Sequence, residues 1–124
     1  MPFEERRKFP RIEGSVSCRV SIDSKVYSTQ TYNLSCGGAL CQLAEAVPPM
    51  AKLDVTIQLP TMGKENSVSP IRCFGVAVRQ EPIPSGGPQQ YLTAIYFLEL
   101  KLKDRQRIAE FVLQSMLAHD RRRS

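Results

Sequence analysis

The side chains best suited to chemistry in this sequence fall in two short stretches. One holds Arg6, Arg7 and Arg11; the other is the turn-like run Asn33-Leu34-Ser35-Cys36-Gly37-Gly38. A guanidinium is flat and permanently charged. It forks onto phosphate oxygens and onto the O6/N7 edge of guanine, and its face stacks on a base. Arg7 and Arg11 stand four apart with Phe9-Pro10 between them. Pro10 restricts Phe9 toward extended geometry, so this stretch is read as a strap rather than a continuing helix. Such a strap suits an anionic ligand rich in acceptors, although the charges alone fit a solvated basic terminus better. In the second stretch Asn33 and Ser35 can bond nearby backbone or an incoming ligand, while Gly37 and Gly38 permit positive φ and close approach. Taken alone, that turn resembles many hairpin turns.

Other chemistries lack their parts. His119 is the only histidine and lies near the end of the chain, so no Ser/His or Cys/His machinery assembles. Gly63-Lys64 is not a phosphate loop, because Gln58 occupies the place of its first glycine and Glu65 follows the lysine. Acidic residues are scattered singly. The expectation is a protein that is not an enzyme and carries no cofactor. Cys18, Cys36, Cys41 and Cys73 lack the close pairing of a zinc site, since four residues separate Cys36 from Cys41. Cys18 runs in phase with Val16, Val20 and Ile22, as a small buried side chain would. No metal site is expected.

The net charge of +5 is confined to the ends. Residues 1–11 contribute +2, Arg121, Arg122 and Arg123 contribute +3, and residues 12–120 balance at ten basic against ten acidic side chains. A protein that holds a long polyanion usually spreads basic charge across the body of its domain. Aromatic residues are 7% of the chain with no tryptophan, which further disfavours base-stacking on a nucleic-acid strand. No nucleic-acid polymer is expected as a partner. The charged opening Met1-Pro2-Phe3-Glu4-Glu5-Arg6-Arg7-Lys8 is unlike a signal peptide, and no run reaches the roughly 20 apolar residues of a membrane helix. The expected location is the cytoplasm.

The elements that would position these residues are mostly strands. Val16, Cys18, Val20 and Ile22 alternate with polar neighbours, and Leu53, Val55, Ile57 and Leu59 do so most cleanly. Residues 25–32 and 39–43 are rich in strand formers. Phe74, Val76 and Val78 form a further alternating set, followed by Ile95 and Phe97. Turn signals at Asp23-Ser24, Gly37-Gly38, Pro48-Pro49, Met62-Gly63-Lys64 and Pro84 to Pro88 separate them, as in a sandwich or small barrel. From Asp104 to His119 the period becomes helical, with Ile108, Phe111, Val112, Leu113, Met116 and Leu117 on an arc of about 240°. An arc that wide fits a deeply seated helix or one that also meets a second copy of the chain.

Together the two stretches resemble the motifs of the PilZ family, bacterial receptors for the second messenger cyclic di-GMP. Arg7-Lys8-Phe9-Pro10-Arg11 meets R-x-x-x-R, and Asn33-Leu34-Ser35-Cys36-Gly37-Gly38 meets D/N-x-S-x-x-G. The resemblance spans nearly the whole chain. It implies a six-stranded antiparallel β-barrel with a C-terminal α-helix. It also implies a ligand site of Arg6, Arg7, Arg11, Asn33, Ser35, Gly37 and Gly38, in which Arg7 and Arg11 grip guanine edges and phosphates. Asn33 and Ser35 then bond the ligand from the barrel surface, and Gly38 lets the turn pass close beneath it. Arg6 occupies the position that influences whether one ligand or a stacked pair is bound, and Arg79 lies near enough in sequence pattern to reach the ligand edge.

The expected organisation is a flexible strap over 1–12, the barrel and helix over 13–120, and a basic tail over 121–124. The expected role is a cytoplasmic cyclic di-GMP receptor whose strap orders on binding and signals to a protein effector, with the helix as a route to a homodimer. Two alternatives remain at this stage. One is a PilZ-like adaptor in pilus or motility machinery that binds no ligand; the other is a small nucleic-acid-binding barrel.

Overall fold

Alternating burial in five runs of sequence explains most of the architecture of this computed structural model. It describes residues 12–13, 16–61, 67–84 and 86–123, without the side chains of residues 12, 13 and 119–123. The strands are β1 (Ile12–Glu13), β2 (Ser17–Ile22), β3 (Lys25–Leu34), β4 (Gly38–Leu43), β5 (Lys52–Pro60), β6 (Val68–Ile83) and β7 (Gln90–Leu98), followed by helix α1 (Leu102–Arg123). Every pairing is antiparallel. The order β3-β2-β5-β6-β7-β4 closes on itself through a β3–β4 ladder, giving a six-stranded barrel to which β1 adds at the end of β3.

Each strand turns one side chain in two toward the barrel interior. Cys18 and Val20 of β2, Ala39, Cys41 and Leu43 of β4, Leu53, Val55, Ile57 and Leu59 of β5, and Ile95 and Phe97 of β7 are all buried. The β2–β3 hairpin turns at Asp23, whose φ of 54° is left-handed, a conformation aspartate tolerates better than most residues. Helix α1 caps the barrel through its first three turns, where Asp104, Ile108 and Val112 are buried. Arg107 ties it down by donating from Nη2 to the Ser69 carbonyl at 2.7 Å and pairing with Asp104 at 3.4 Å. Beyond that point Leu113, Met116 and Leu117 are exposed, so the apolar arc is only partly covered by the barrel.

One strand departs from the sequence reading. In β6 the alternating set Phe74, Val76 and Val78 lies on the outer phase, with Phe74 and Val78 exposed and Val76 covered. The interior phase belongs to Ile71, Cys73, Gly75 and Ala77. Gly75 is held there by crowding, since an added Cβ would meet Ile95 Cγ2 at 2.6 Å. The outer phase is sheltered only in part: Lys52 Nζ sits 4.1 Å over the Phe74 ring, and the Met50 amide donates to the Ala77 carbonyl at 3.0 Å. Both phases of this strand are apolar or small, so hydropathy could not choose between them. A register shift between Ala77 and Arg79 then places Val78 and Arg79 consecutively outward and returns Gln80 to the interior, where it donates to Thr93 Oγ1 at 3.1 Å.

Candidate functional site

The turn between β3 and β4 is built by its own backbone and by Ser35. The Ser35 amide donates to the Gly38 carbonyl at 2.9 Å, and the Gly37 amide donates to Ser35 Oγ at 3.1 Å. The turn is pinned to the barrel by the Phe97 amide, which donates to the Gly37 carbonyl at 2.9 Å. It is pinned to the helix by the Cys36 thiol, which donates to the Arg105 carbonyl at 3.4 Å. Burial raises the Cys36 thiol above its ordinary range, against a smaller opposing effect of Arg105, so it remains a donor.

Gly38 is required by proximity. A Cβ at this position would lie 2.1 Å from the Ile95 carbonyl oxygen and 3.3 Å from Tyr96 Cα, all backbone atoms. Its φ is outside the left-handed region, so close packing and not turn conformation demands the glycine. Asn33 and Ser35 are 5% and 7% exposed. Asn33 is thus mostly inside the barrel wall, and the Ser35 hydroxyl is engaged in shaping the turn.

The structure brings Asn33, Ser35, Gly37 and Gly38 together; Arg6, Arg7 and Arg11 lie outside the described residues. What is described is the strand that follows them. In β1, Ile12 pairs with Leu34 and Glu13 with Asn33. Ile12, the first described residue after the arginine stretch, therefore lies opposite the last residue of β3, beside the turn. Arg79 is on the outer face of β6, ion-paired to Glu81 at 3.1 Å. It registers with Ala94, which registers with Leu40 of β4. Its face of the barrel is the one that Gly38 borders.

Tyr96 was not evident from sequence. It registers with Gly38 on one side and Val76 on the other, and its side chain is 55% exposed. The missing side chain at Gly38 leaves the flank of the ring open beside the turn. Only the β4–β7 register reveals this neighbour, and no local pattern encodes that register. Among the described residues no group of three or more His, Cys, Asp or Glu is placed to hold a metal ion, and all four thiols are free. No helix among them is long and apolar enough to cross a membrane.

A closed six-stranded barrel, capped by a C-terminal helix and carrying an Asn-x-Ser-x-x-Gly turn beside the entry of its first strand, defines a specific class of small β-barrel domain. The chain belongs to the PilZ domain family, which it matches over residues 5–114. No curated protein matches it by sequence. Among solved structures it is similar to the Bacillus subtilis inhibitor of motility MotI/DgrA (TM-score 0.75, 21% identity, 91% of this chain and 52% of that one). It is similar to the PilZ domain with c-di-GMP of YcgR from Escherichia coli (TM-score 0.65, 15% identity, 95% and 96%). It is also similar to the K. pneumonia MrkH-c-di-GMP complex (TM-score 0.76, 20% identity, 94% and 55%). These are likenesses of fold. The chain spans about half the length of MotI/DgrA and of MrkH.

Proposed function

We propose that this protein is a bacterial cyclic di-GMP receptor that binds the dinucleotide between its N-terminal arginines and the Asn33–Gly38 turn. The observation that supports this reading is the pairing of Ile12 with Leu34, since Ile12 is the residue that directly follows the R-x-x-x-R motif in sequence and Leu34 lies within the Asn-x-Ser-x-x-Gly turn motif. Two of the similar solved structures, of YcgR and of MrkH, hold c-di-GMP. In this reading Arg7 and Arg11 fork onto guanine edges and phosphates. Arg6 stacks on a second guanine when a pair of ligands is bound. Gly37 and Gly38 keep the turn low enough for the ligand to lie over it, and Tyr96 offers its ring beside them. Asn33 and Ser35 bond the ligand from the barrel surface, Ser35 from within the turn that it also shapes.

The function is binding and relay, without catalysis and without a cofactor. Residues 1–12 act as a strap that orders over the ligand, residues 13–120 as the barrel and helix that receive it, and 121–124 as a basic tail. Ordering the strap costs conformational entropy and creates a ligand-dependent surface for a protein effector in the cytoplasm. The exposed Leu113, Met116 and Leu117 support a homodimer contact through the second half of α1 as part of this proposal.

Isothermal titration with cyclic di-GMP, with GTP and cyclic di-AMP as controls, tests the reading. Saturable binding specific to cyclic di-GMP is expected, with the molar ratio reporting one ligand or two. Absence of heat at high ligand concentration would move the function to a ligand-free adaptor.

A further inference from the structure

A closed barrel has no strand edges, yet this one closes incompletely. The β3–β4 ladder pairs Thr31 with Cys41, Asn33 with Leu40 and Leu34 with Ala39, and stops there. On its other side β3 is fully paired, from Lys25 with Ile22 to Gln30 with Ser17. Among the described residues, no ladder takes up the second edge of Lys25–Gln30.

The alternation of antiparallel hydrogen bonds identifies the groups on that edge. The Thr31 amide donates to the Val16 carbonyl, so odd-numbered residues of β3 direct their backbone groups toward β2. Val26, Ser28 and Gln30 direct theirs toward the open side. A groove of about 570 Å³ runs along this side and is lined by Val26, Ser28, Gln30, Tyr32, Gln42 and Gln90 among others. Its far bank is held by a hydrogen bond that Gln42 Nε2 donates to Gln90 Oε1 at 3.3 Å. One end is closed where Thr29 Oγ1 donates to the Gln42 carbonyl at 2.6 Å. The other is closed where Tyr27 and Lys25 both donate to Glu45, at 2.6 and 3.1 Å.

We propose that this groove binds an extended segment of a protein partner, which adds as a short strand to the Val26–Ser28 edge of β3. Unpaired strand amides and carbonyls are the chemical complement of another strand's backbone, and supply affinity that does not depend on one side chain. The lining side chains are hydroxyls, amides, tyrosine rings and the aliphatic Val26 and Ala44, with no ionised group between the end closures. The segment it fits is therefore uncharged, free of proline and rich in β-branched or small polar residues. The closures at both ends limit the site to a short strand and leave no room for the edge of a second barrel. The surface is separate from the cyclic di-GMP site and stands whether or not that ligand binds.

Amide hydrogen exchange on the full chain comes first. The Val26 and Ser28 amides should exchange roughly a hundredfold faster than those of Tyr27 and Thr29, which face β2. Equal protection would show the edge already occupied and would overturn the proposal. A displayed library of random 12-residue peptides is then selected on the full chain. Enriched peptides should be uncharged and proline-free, should shift and protect the Val26 and Ser28 amides, and should bind about fivefold or more weakly to Ser28→Pro. Ser28 donates away from β2, so proline there leaves the β2–β3 ladder intact. Should that variant misfold, alternate N-methylation of the peptide must abolish binding to the unaltered protein. No enriched peptide, or peptides indifferent to N-methylation, would refute strand addition. Protection that grows with protein concentration would assign the edge to a second copy and overturn the proposed occupant.

Discussion

Gly38→Ala separates the physical account of the turn from a mere motif match. The added Cβ would stand 2.1 Å from the Ile95 carbonyl oxygen, 3.1 Å from the Ile95 carbonyl carbon and 3.3 Å from Tyr96 Cα. No side-chain rotation relieves a clash with backbone. Strand β4 must therefore retreat from β7 by about an ångström before the contact becomes tolerable. That movement strains the bonds from Ser35 N to Gly38 O and from Phe97 N to Gly37 O, both 2.9 Å. Overpacking of this kind costs about 1–3 kcal/mol, and two weakened hydrogen bonds add about 0.5–1.5 kcal/mol each. The sum is roughly 2–6 kcal/mol, or, at about 4 °C per kcal/mol, a fall in Tm of roughly 8–24 °C for a chain of this size. Gly86→Ala is the control, because nothing lies within 4 Å of its added Cβ. Gly75→Ala should fall between, since its nearest clash at 2.6 Å is with the movable Ile95 Cγ2. Thermal and urea unfolding by circular dichroism measures all three. A Gly38→Ala protein within about 0.5 kcal/mol of the parent would refute the close-approach argument.

Further consequences concern the ligand and the interior. Arg7→Ala and Arg11→Ala should each weaken cyclic di-GMP binding by about 5- to 150-fold with unchanged unfolding midpoints, as expected for one lost bidentate contact. Unchanged affinity in both would remove the arginines from the site. Tyr96→Ala should weaken binding by about 5- to 150-fold if the ring stacks on a guanine, while Tyr96→Phe keeps most of it; titration calorimetry that finds the alanine variant unaltered would exclude the ring. Burial, with a smaller contribution from Cys73, pushes the Cys18 thiol from 9.0 to about 12. The folded chain thus keeps a proton that the unfolded chain releases, so this stabilisation is complete below about pH 9 and is lost as pH rises toward 12. Its upper bound is about 4 kcal/mol, and urea midpoints should fall less steeply over this window in Cys18→Ala than in the parent. Parallel slopes would disprove the assignment.

Much of the fold was legible because burial on one face writes a period of two. Leu53, Val55, Ile57 and Leu59 alternate cleanly and are all buried. The helical period after Leu102 likewise matches α1. The pattern failed in β6, where both phases are apolar or small and the choice depends on Ile95 crowding Gly75 and on Lys52 covering Phe74. The turn was legible as a string of residue types, and its glycines were read as permitting positive φ and close approach. At Gly38 it is close approach that decides, and the backbone approached belongs to a strand more than fifty residues away, which no local pattern contains. For the same reason Tyr96, and the early end of the β3–β4 ladder, became visible only with the cross-strand register.

The most direct test of the central claim is a titration of the ¹⁵N-labelled protein with cyclic di-GMP, followed by amide and arginine side-chain resonances. The account predicts saturable shifts concentrated at Ser35, Cys36, Gly37, Gly38 and Tyr96 and in the Arg6–Arg11 segment, with the remainder of the barrel little changed. A spectrum indifferent to the ligand, or shifts that saturate elsewhere on the barrel while the turn stays silent, would contradict it.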